Sequence, residues 1–285
     1  MGTNSLTPEF PFRRFRRSRF SDGVRCPHCG ATRVHRWGSF AGRQRYRCVA
    51  CRRTFSDFTA TPLANLKRVD LWPDFCRCVL ESRSVRDTAE RTGIHRDTAF
   101  RWRHRLLRSL DAVDRGALTG SVVYGETWFP FSQKGSRKLD RPPRRRPAFH
   151  RADIKPVWVY VLVAGDGRLA TGVAGVRRPT AAVLLRAVGN RLSGDVELMS
   201  CNGPFGAGAT LAIRLDVRHC RSPQNGQGMT GVRRYVGRLR RWITRFRGVA
   251  TRYLASYLAW HRFLEMSERA AEPCAFECLL AMRFP

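Results

Sequence analysis

The stretch CPHCGATRVHRWGSFAGRQRYRCVAC, residues 26–51, holds two Cys-x2-Cys pairs with eighteen residues between them. Two residues inside each pair let a tight knuckle aim both thiolates, Cys26 with Cys29 and Cys48 with Cys51, at one point. A hairpin-length insert brings the pairs together, and four thiolates in tetrahedral array are a structural zinc site. The insert reads as that hairpin: Arg33-Val34-His35-Arg36-Trp37 and Gln44-Arg45-Tyr46-Arg47-Cys48 alternate in polarity, with Gly38 and Gly42 between them. A module this small buries too little apolar surface to fold unaided, so the metal supplies much of its folding energy. A redox Cys-x-x-Cys needs a βαβ setting that these residues lack. His28 sits inside the first knuckle as a bystander.

Working outward, residues 1–20 form an arm in which Phe10, Phe12, Phe15 and Phe20 interleave with Arg13, Arg14, Arg16, Arg17 and Arg19. It stacks on the module that follows, which spans 21–60, or tracks a groove, or trails as a disordered tail. Past the ribbon, over 61–115, the period becomes helical. Leu71, Phe75, Cys78 and Val79 share a face of one helix. Ser84 caps a second, and Gly93 separates it from a third that runs to Leu110. Within SVRDTAERTGIHRDTAFRWRHRLL, residues 84–107, Val85, Ala89, Ile94, Ala99 and Trp102 are spaced to fill the angle of a helix-turn-helix. Its second helix then offers His95, Arg96, Thr98, Arg101 and Arg105 to a DNA major groove.

Residues 120–285 read as α/β. Strands are expected over 121–129, 157–163, 169–176 and 195–200, with a further strand near 215–218. A helix is expected over 180–191, and an Arg/Pro-rich loop over 131–156. A long basic helical region follows from about Val232 to Glu268, in which Trp242, Phe246, Val249, Tyr253 and Tyr257 make the packed face. Arg234, Arg238, Arg241 and Arg245 lie between them to track phosphates. The fold class is thus multi-domain: a zinc ribbon, a helix-turn-helix domain, and an α/β domain closed by basic helices.

The formal net charge is +31 and the isoelectric point about 11.4. Lys67, Lys134, Lys138 and Lys155 are the lysines, so 49 of the 53 basic residues are arginine. Such a surface calls for a polyanion, and nucleic acid is the commonest one; with the helix-turn-helix, the expected partner is double-stranded DNA. No stretch is apolar enough for a bilayer and no signal-peptide core is present, which excludes membrane and secreted classes. The expected setting is the cytoplasm, at the nucleoid. Cys76, Cys78, Cys201, Cys220, Cys274 and Cys278 fit no ligand spacing and are expected to act as small core hydrophobes.

The order of parts resembles the zinc-ribbon transposases of bacterial insertion sequences, whose catalytic domain is a ribonuclease-H-like DDE domain. The resemblance rests on CPHCG…YRCVACRRTFSDFTATPL, on the helix-turn-helix stretch, on GETWFPFSQKGSRK from Gly125, and on the arginine-rich closing segment from Arg233. It implies binding to transposon ends or related sites, a homo-oligomer, and strand cleavage and transfer by carboxylates holding two Mg²⁺ ions about 4 Å apart. This sequence departs from that pattern at the carboxylates. In Tyr124-Gly125-Glu126-Thr127 the position of the first aspartate holds Gly125, and the adjacent Glu126 points to the other face of a strand. In Cys201-Asn202-Gly203 the second holds Asn202, which keeps an oxygen but not its charge. The closing helix offers Gly231, Arg233 and Arg234 where a ligand belongs. Metal-dependent chemistry is therefore expected to be impaired, and Mg²⁺ is expected only if the site survives. The competing expectations are an active enzyme with displaced carboxylates (Asp195, Glu197 and Asp216 are the nearest) and a co-opted DNA-binding regulator.

Overall fold

The structure is a computed structural model that describes residues 15–17, 19–40, 42–110, 116–136, 138–139, 155–200, 206–221 and 230–267. Residues 1–14, most of the Arg/Pro-rich loop, Cys201, Asn202, Cys274 and Cys278 lie outside them. The chain divides into two compact units, the first holding the described residues up to Leu110 and the second those from Gly116 to Ser267. The ribbon and the helical segment, expected as separate modules, thus belong to one unit.

In the first unit, β1 (Val34–Phe40), β2 (Arg43–Cys48) and β3 (Thr54–Ser56) form an antiparallel sheet in that order. Tyr46, Cys48 and Phe55 are buried on one face of it, and Tyr46 stacks on Phe55 at 5.3 Å. The end of the arm docks here. Phe15 is buried against Phe58, Phe20 meets the edge of Tyr46, and the Arg19 guanidinium donates to the carbonyls of Asp57 and Thr59. Of the expectations for the arm, stacking on the ribbon holds for its described end.

Three helices follow: α1 (Trp72–Leu80), α2 (Val85–Thr92) and α3 (Arg96–Leu110). Trp72, Phe75 and Trp102 form their aromatic centre, with ring centroids 5.2–5.6 Å apart. Arg103 departs from its residue type. It lies in the buried register of α3, 1% exposed, where it donates to the Arg83 carbonyl at 2.7 Å and to Thr88 Oγ1 at 3.0 Å. Thr88 and Thr92 are accordingly the buried residues of α2, while Val85 and Ala89 are only half-buried.

The second unit is built on a five-stranded sheet of order β6-β5-β4-β7-β8. Its strands are β4 (Leu118–Pro130), β5 (Pro156–Ala164), β6 (Leu169–Gly175), β7 (Leu192–Ser200) and β8 (Arg218–Arg221). β4, β5 and β6 are successively antiparallel, and β7 and β8 run parallel to β4. Helices cover both faces. Alternation sends Leu118, Val122 and Tyr124 of β4 towards α4 (Ala181–Val188) and α5 (Ala207–Leu215), and the three pack in one core with Leu184, Val188, Leu211 and Ala212. The opposite face meets α6 (Thr230–Thr244) and α7 (Thr251–Ser267). Arg240 of α6 donates to Thr127 Oγ1 at 2.8 Å, and Arg262 of α7 donates to the Thr171 carbonyl at 3.1 Å.

The long basic helical region expected from periodicity consists of two helices. Arg247 and Gly248 take positive φ (50° and 91°), and Lys134 Nζ caps the freed carbonyls of Phe246, Arg247 and Gly248 at 2.9–3.0 Å. A cation at a helix C-terminus also opposes the negative end of its dipole. The chain folds back so that Trp242 and Phe246 pack edge-on against Tyr257 and Trp260. His261 is 3% exposed in this interface, with Tyr235 and Trp242 each 5.1 Å from its ring.

Truncating Arg103 removes two charge-assisted hydrogen bonds and leaves a cavity. Arg103→Ala is expected to destabilise the first unit by about 3 kcal/mol in thermal or urea unfolding. In the second unit, burial lowers His261 to about 4, against an opposing pull from Glu265 and with help from Arg238. The unfolded chain therefore takes up a proton near pH 6.5 that the fold refuses. Stability is full above that pH and falls as pH drops from 6.5 towards 4. His261→Gln should flatten this part of the pH–stability curve.

Candidate functional site

The two knuckles converge. Cys26 Sγ lies 3.6 Å from Cys51 Sγ, Cys29 Sγ lies 3.6 Å from Cys48 Sγ, and all four sulfurs fall within 4.8 Å of one another. Tetrahedral S₄ coordination at a Zn–S distance of about 2.3 Å requires sulfurs near 3.8 Å apart, so the set matches a zinc ion in both element and size. No pair is joined as a disulfide. Cys26 and Cys48 are buried, whereas Cys29 and the bystander His28 are exposed. Each knuckle is closed by its own backbone: Gly30 N–H donates to the Cys26 carbonyl at 2.9 Å, and Cys48 N–H to the Arg53 carbonyl at 3.0 Å. The residue after each second cysteine is left-handed, Gly30 at φ 78° and Arg52 at φ 58°. Glycine adopts that conformation freely and arginine does not. The Cys51 backbone N–H draws the Cys48 thiol down to about 7, while the thiol of Cys29, hydrogen-bonded to it, is raised.

The helix-turn-helix forms by local rules. Ser84 Oγ accepts from Asp87 N–H at 3.1 Å, which starts α2, and Gly93 ends it at φ 65°. On α3, Ala99, Trp102 and Leu106 are buried while Arg96 and Arg101 are exposed and Thr98 is half-buried; His95, just before the helix, is exposed too. Asp97 shares this outer side, 3.8 Å from Arg96 and 3.9 Å from His95. Arg105 does not belong to the outward set. Its guanidinium turns inward to the Ala64 carbonyl, because the chain entering α1 leaves that acceptor within reach. Among the closing-helix arginines, Arg234, Arg241 and Arg245 are exposed, but Arg238 is committed. Both of its terminal bonds, 2.6 Å each, go to Glu265, a nearly buried carboxylate that needs a cation.

At the positions where the resemblance implies carboxylates, Gly125 is buried in the middle of β4, paired with Val161 of β5. Alternation puts it on the face that α6 covers, and the next residue on that face, Thr127, receives the Arg240 guanidinium. Glu126 lies on the other face. Its carboxylate accepts from the Tyr124 hydroxyl at 2.7 Å and from Arg178 at 3.1 Å, with 8% of the side chain exposed. Among the described residues, the four cysteines form the one group of three or more His, Cys, Asp or Glu with metal-holding spacing. Glu197 accepts from Cys220 at 2.9 Å, so Cys220 is a donor rather than the expected apolar filler, while Cys76 and Cys78 are core as expected. Sequence reading missed the inward roles of Arg103 and Arg105. For Arg103 the signal was present, since it falls on the same helical face as Ala99 and Leu107.

Comparison with known proteins agrees with the front of the chain. Residues 13–59 match the family described as PaaD zinc beta ribbon domain. The chain is also 37% identical over 131 residues to an uncharacterized protein in transposable element ISH50 of Halobacterium salinarum. That match covers 45% of this chain and 44% of the relative, so it spans less than half of the relative's length. A pre-cleavage Mos1 transpososome chain aligns over 76% of this chain and 78% of its own length, at 12% identity and a TM-score of 0.25, a likeness too loose to carry an argument. The chain therefore has an N-terminal zinc ribbon and is homologous to a transposable-element protein.

Because Zn²⁺ and protons compete for the same thiolates, zinc retention should fall as pH falls, with release of the metal on acidification. Cys48→Ser should lose the bound zinc, measured by metal content, together with the near-ultraviolet signal of Tyr46. Arg52→Gly should keep the zinc and stabilise the ribbon by about 1 kcal/mol.

Proposed function

We propose that this chain is a DNA-binding protein of the insertion-sequence transposase kind, whose ribonuclease-H-like body has lost the acidic ligands for metal-dependent strand cleavage and transfer. The observation that carries the reading is the capped turn between α2 and α3. It leaves Arg96 and Arg101 of α3, with His95 just before it, exposed, while Ala99, Trp102 and Leu106 anchor the helix. A helix held in this way, basic outside and apolar inside, has the form that enters a major groove. Arg234, Arg241 and Arg245 on the closing helices add a sequence-independent term through phosphates. The strand order β6-β5-β4-β7-β8, three antiparallel and two parallel with helices on both faces, supports a ribonuclease-H-like body. Homology to a transposable-element protein supports transposon ends, or sites derived from them, as the target.

The residues do not fit a pair of Mg²⁺ ions. Gly125 brings no ligand atom, and Arg240 sits one step along the same face, where a guanidinium repels a divalent cation. Glu126 faces away and is already held by Tyr124 and Arg178. Impaired catalysis is accordingly part of the proposal, and no reaction step is assigned to the chain.

The test is duplex binding measured against salt, with DNA from the flanks of the coding sequence and a scrambled control. Affinity should fall by roughly a thousandfold between about 50 and 200 mM salt as phosphate counterions are released. Arg101→Ala should narrow the gap between flanking and scrambled DNA by about tenfold, whereas Arg241→Ala should weaken both equally. Affinity that is flat with salt would reject the reading.

A further inference from the structure

The zinc ribbon has an outer sheet face that the duplex-binding helix does not account for. On β2, Tyr46 and Cys48 point into the ribbon core, so Arg43, Arg45 and Arg47 share the opposite face. On β1, residues 35–40 are all exposed. The β1–β2 register slips between Arg36, opposite Tyr46, and Ser39, opposite Gln44, which leaves Trp37 and Gly38 together against Arg45. This bulge is fixed by Gly38 at φ 67° and by Gln44 Nε2 donating to the Gly38 carbonyl at 2.8 Å. Bulges re-aim side chains, and this one brings Phe40, now opposite Arg43, onto the face that Trp37 already shares with Arg45 and Arg47.

The result is a platform. Trp37 is 48% exposed, with the Arg47 guanidinium over its ring at 4.6 Å, and Phe40, opposite Arg43, is 74% exposed. β1, β2 and β3 contain no acidic residue. Two exposed aromatic rings are unusual on so small and hydrophilic a sheet, and the Arg47 guanidinium over Trp37, with Arg45 bonded to Thr54 Oγ1 and Arg43 over Phe58 along the same strand, favours an anionic occupant. Planar rings flanked by cations match a strand that alternates base and phosphate. In a duplex the flat faces of the bases are stacked on one another, so only unpaired bases can lie on Trp37 and Phe40.

We infer that this face of the ribbon binds single-stranded DNA, with unpaired bases stacking on Trp37 and Phe40 and phosphates paired to the β2 arginines. The inference rests on the proposed DNA-binding function but uses different residues from those of α3. It gives the chain a second nucleic-acid surface suited to frayed or nicked ends.

The zinc-loaded full-length protein is titrated with oligothymidine and, separately, with flanking duplex DNA. Trp37→Ala/Phe40→Ala, both at exposed positions, should keep full zinc content and weaken oligothymidine by at least about tenfold. Its duplex affinity should stay within about twofold of the parent. Arg47→Ala, which removes the cation over Trp37, should weaken oligothymidine in the same sense. Unchanged oligothymidine affinity in the double variant would overturn the inference, and is the result expected of a face that receives another protein. An equal loss on duplex and single strand would also overturn it, because the surface would then be a general phosphate contact. Arg101→Ala should leave oligothymidine binding intact, so failure of the duplex reading and failure of this one are separable.

Discussion

A surplus of guanidinium over carboxylate constrains everything this chain builds. Fifty-three basic residues face twenty-two acidic ones. Arginine does not shed its proton inside a protein, so each arginine that enters a core must find oxygen acceptors. With carboxylates scarce, the acceptors are backbone carbonyls. Arg19 takes those of Asp57 and Thr59, Arg103 that of Arg83, Arg105 that of Ala64, Arg191 that of Gly116, and Arg262 that of Thr171. These bonds fasten helix ends and turns that would otherwise need water. Lys134 does the same for three carbonyls at the break between α6 and α7.

The same imbalance bears on chemistry. Two nearly buried carboxylates of the second unit, Glu126 and Glu265, are each bound to an arginine. A site for divalent cations needs the reverse, carboxylates held close together with no cation between them. The glycine at 125 and the guanidinium beside Thr127 extend that conflict to the strand where a metal ligand is expected. Zinc escapes the conflict because thiolates, which do not pair with arginine in the ribbon, hold it. The one metal centre assembled among the described residues is thus the one whose ligands lie outside the competition for carboxylates.

What could be read in the sequence was what short-range chemistry determines. The cysteine spacing, the Ser84 cap and the Gly93 stop each act within a few residues, and the structure has them where the sequence places them. Four strands of the second unit were legible from their residue patterns, with ends shifted by a few residues, whereas the strand expected near 215–218 falls mostly on the end of α5 and the turn after it, and β8 begins only at Arg218. Long-range partners were not legible. Aromatic periodicity runs unbroken from Trp242 to Tyr257, and the fold-back at Gly248 depends on Lys134, far away in sequence. Arg105 and Arg238 look like groove-facing residues until Ala64 and Glu265 are brought to them. The exposure of Trp37 and Phe40 was not legible either, because it depends on the edge position of β1 and on the register shift before Ser39.

The central claim is that binding survives where strand chemistry does not. It is tested most directly by an end-cleavage and strand-transfer assay of the zinc-loaded protein on its flanking DNA, with Mg²⁺ and with Mn²⁺. A retained protein–DNA complex with no nicked or joined product for either ion is the expected result. Metal-dependent nicking at the ends of that DNA, abolished by Glu126→Gln, would contradict it.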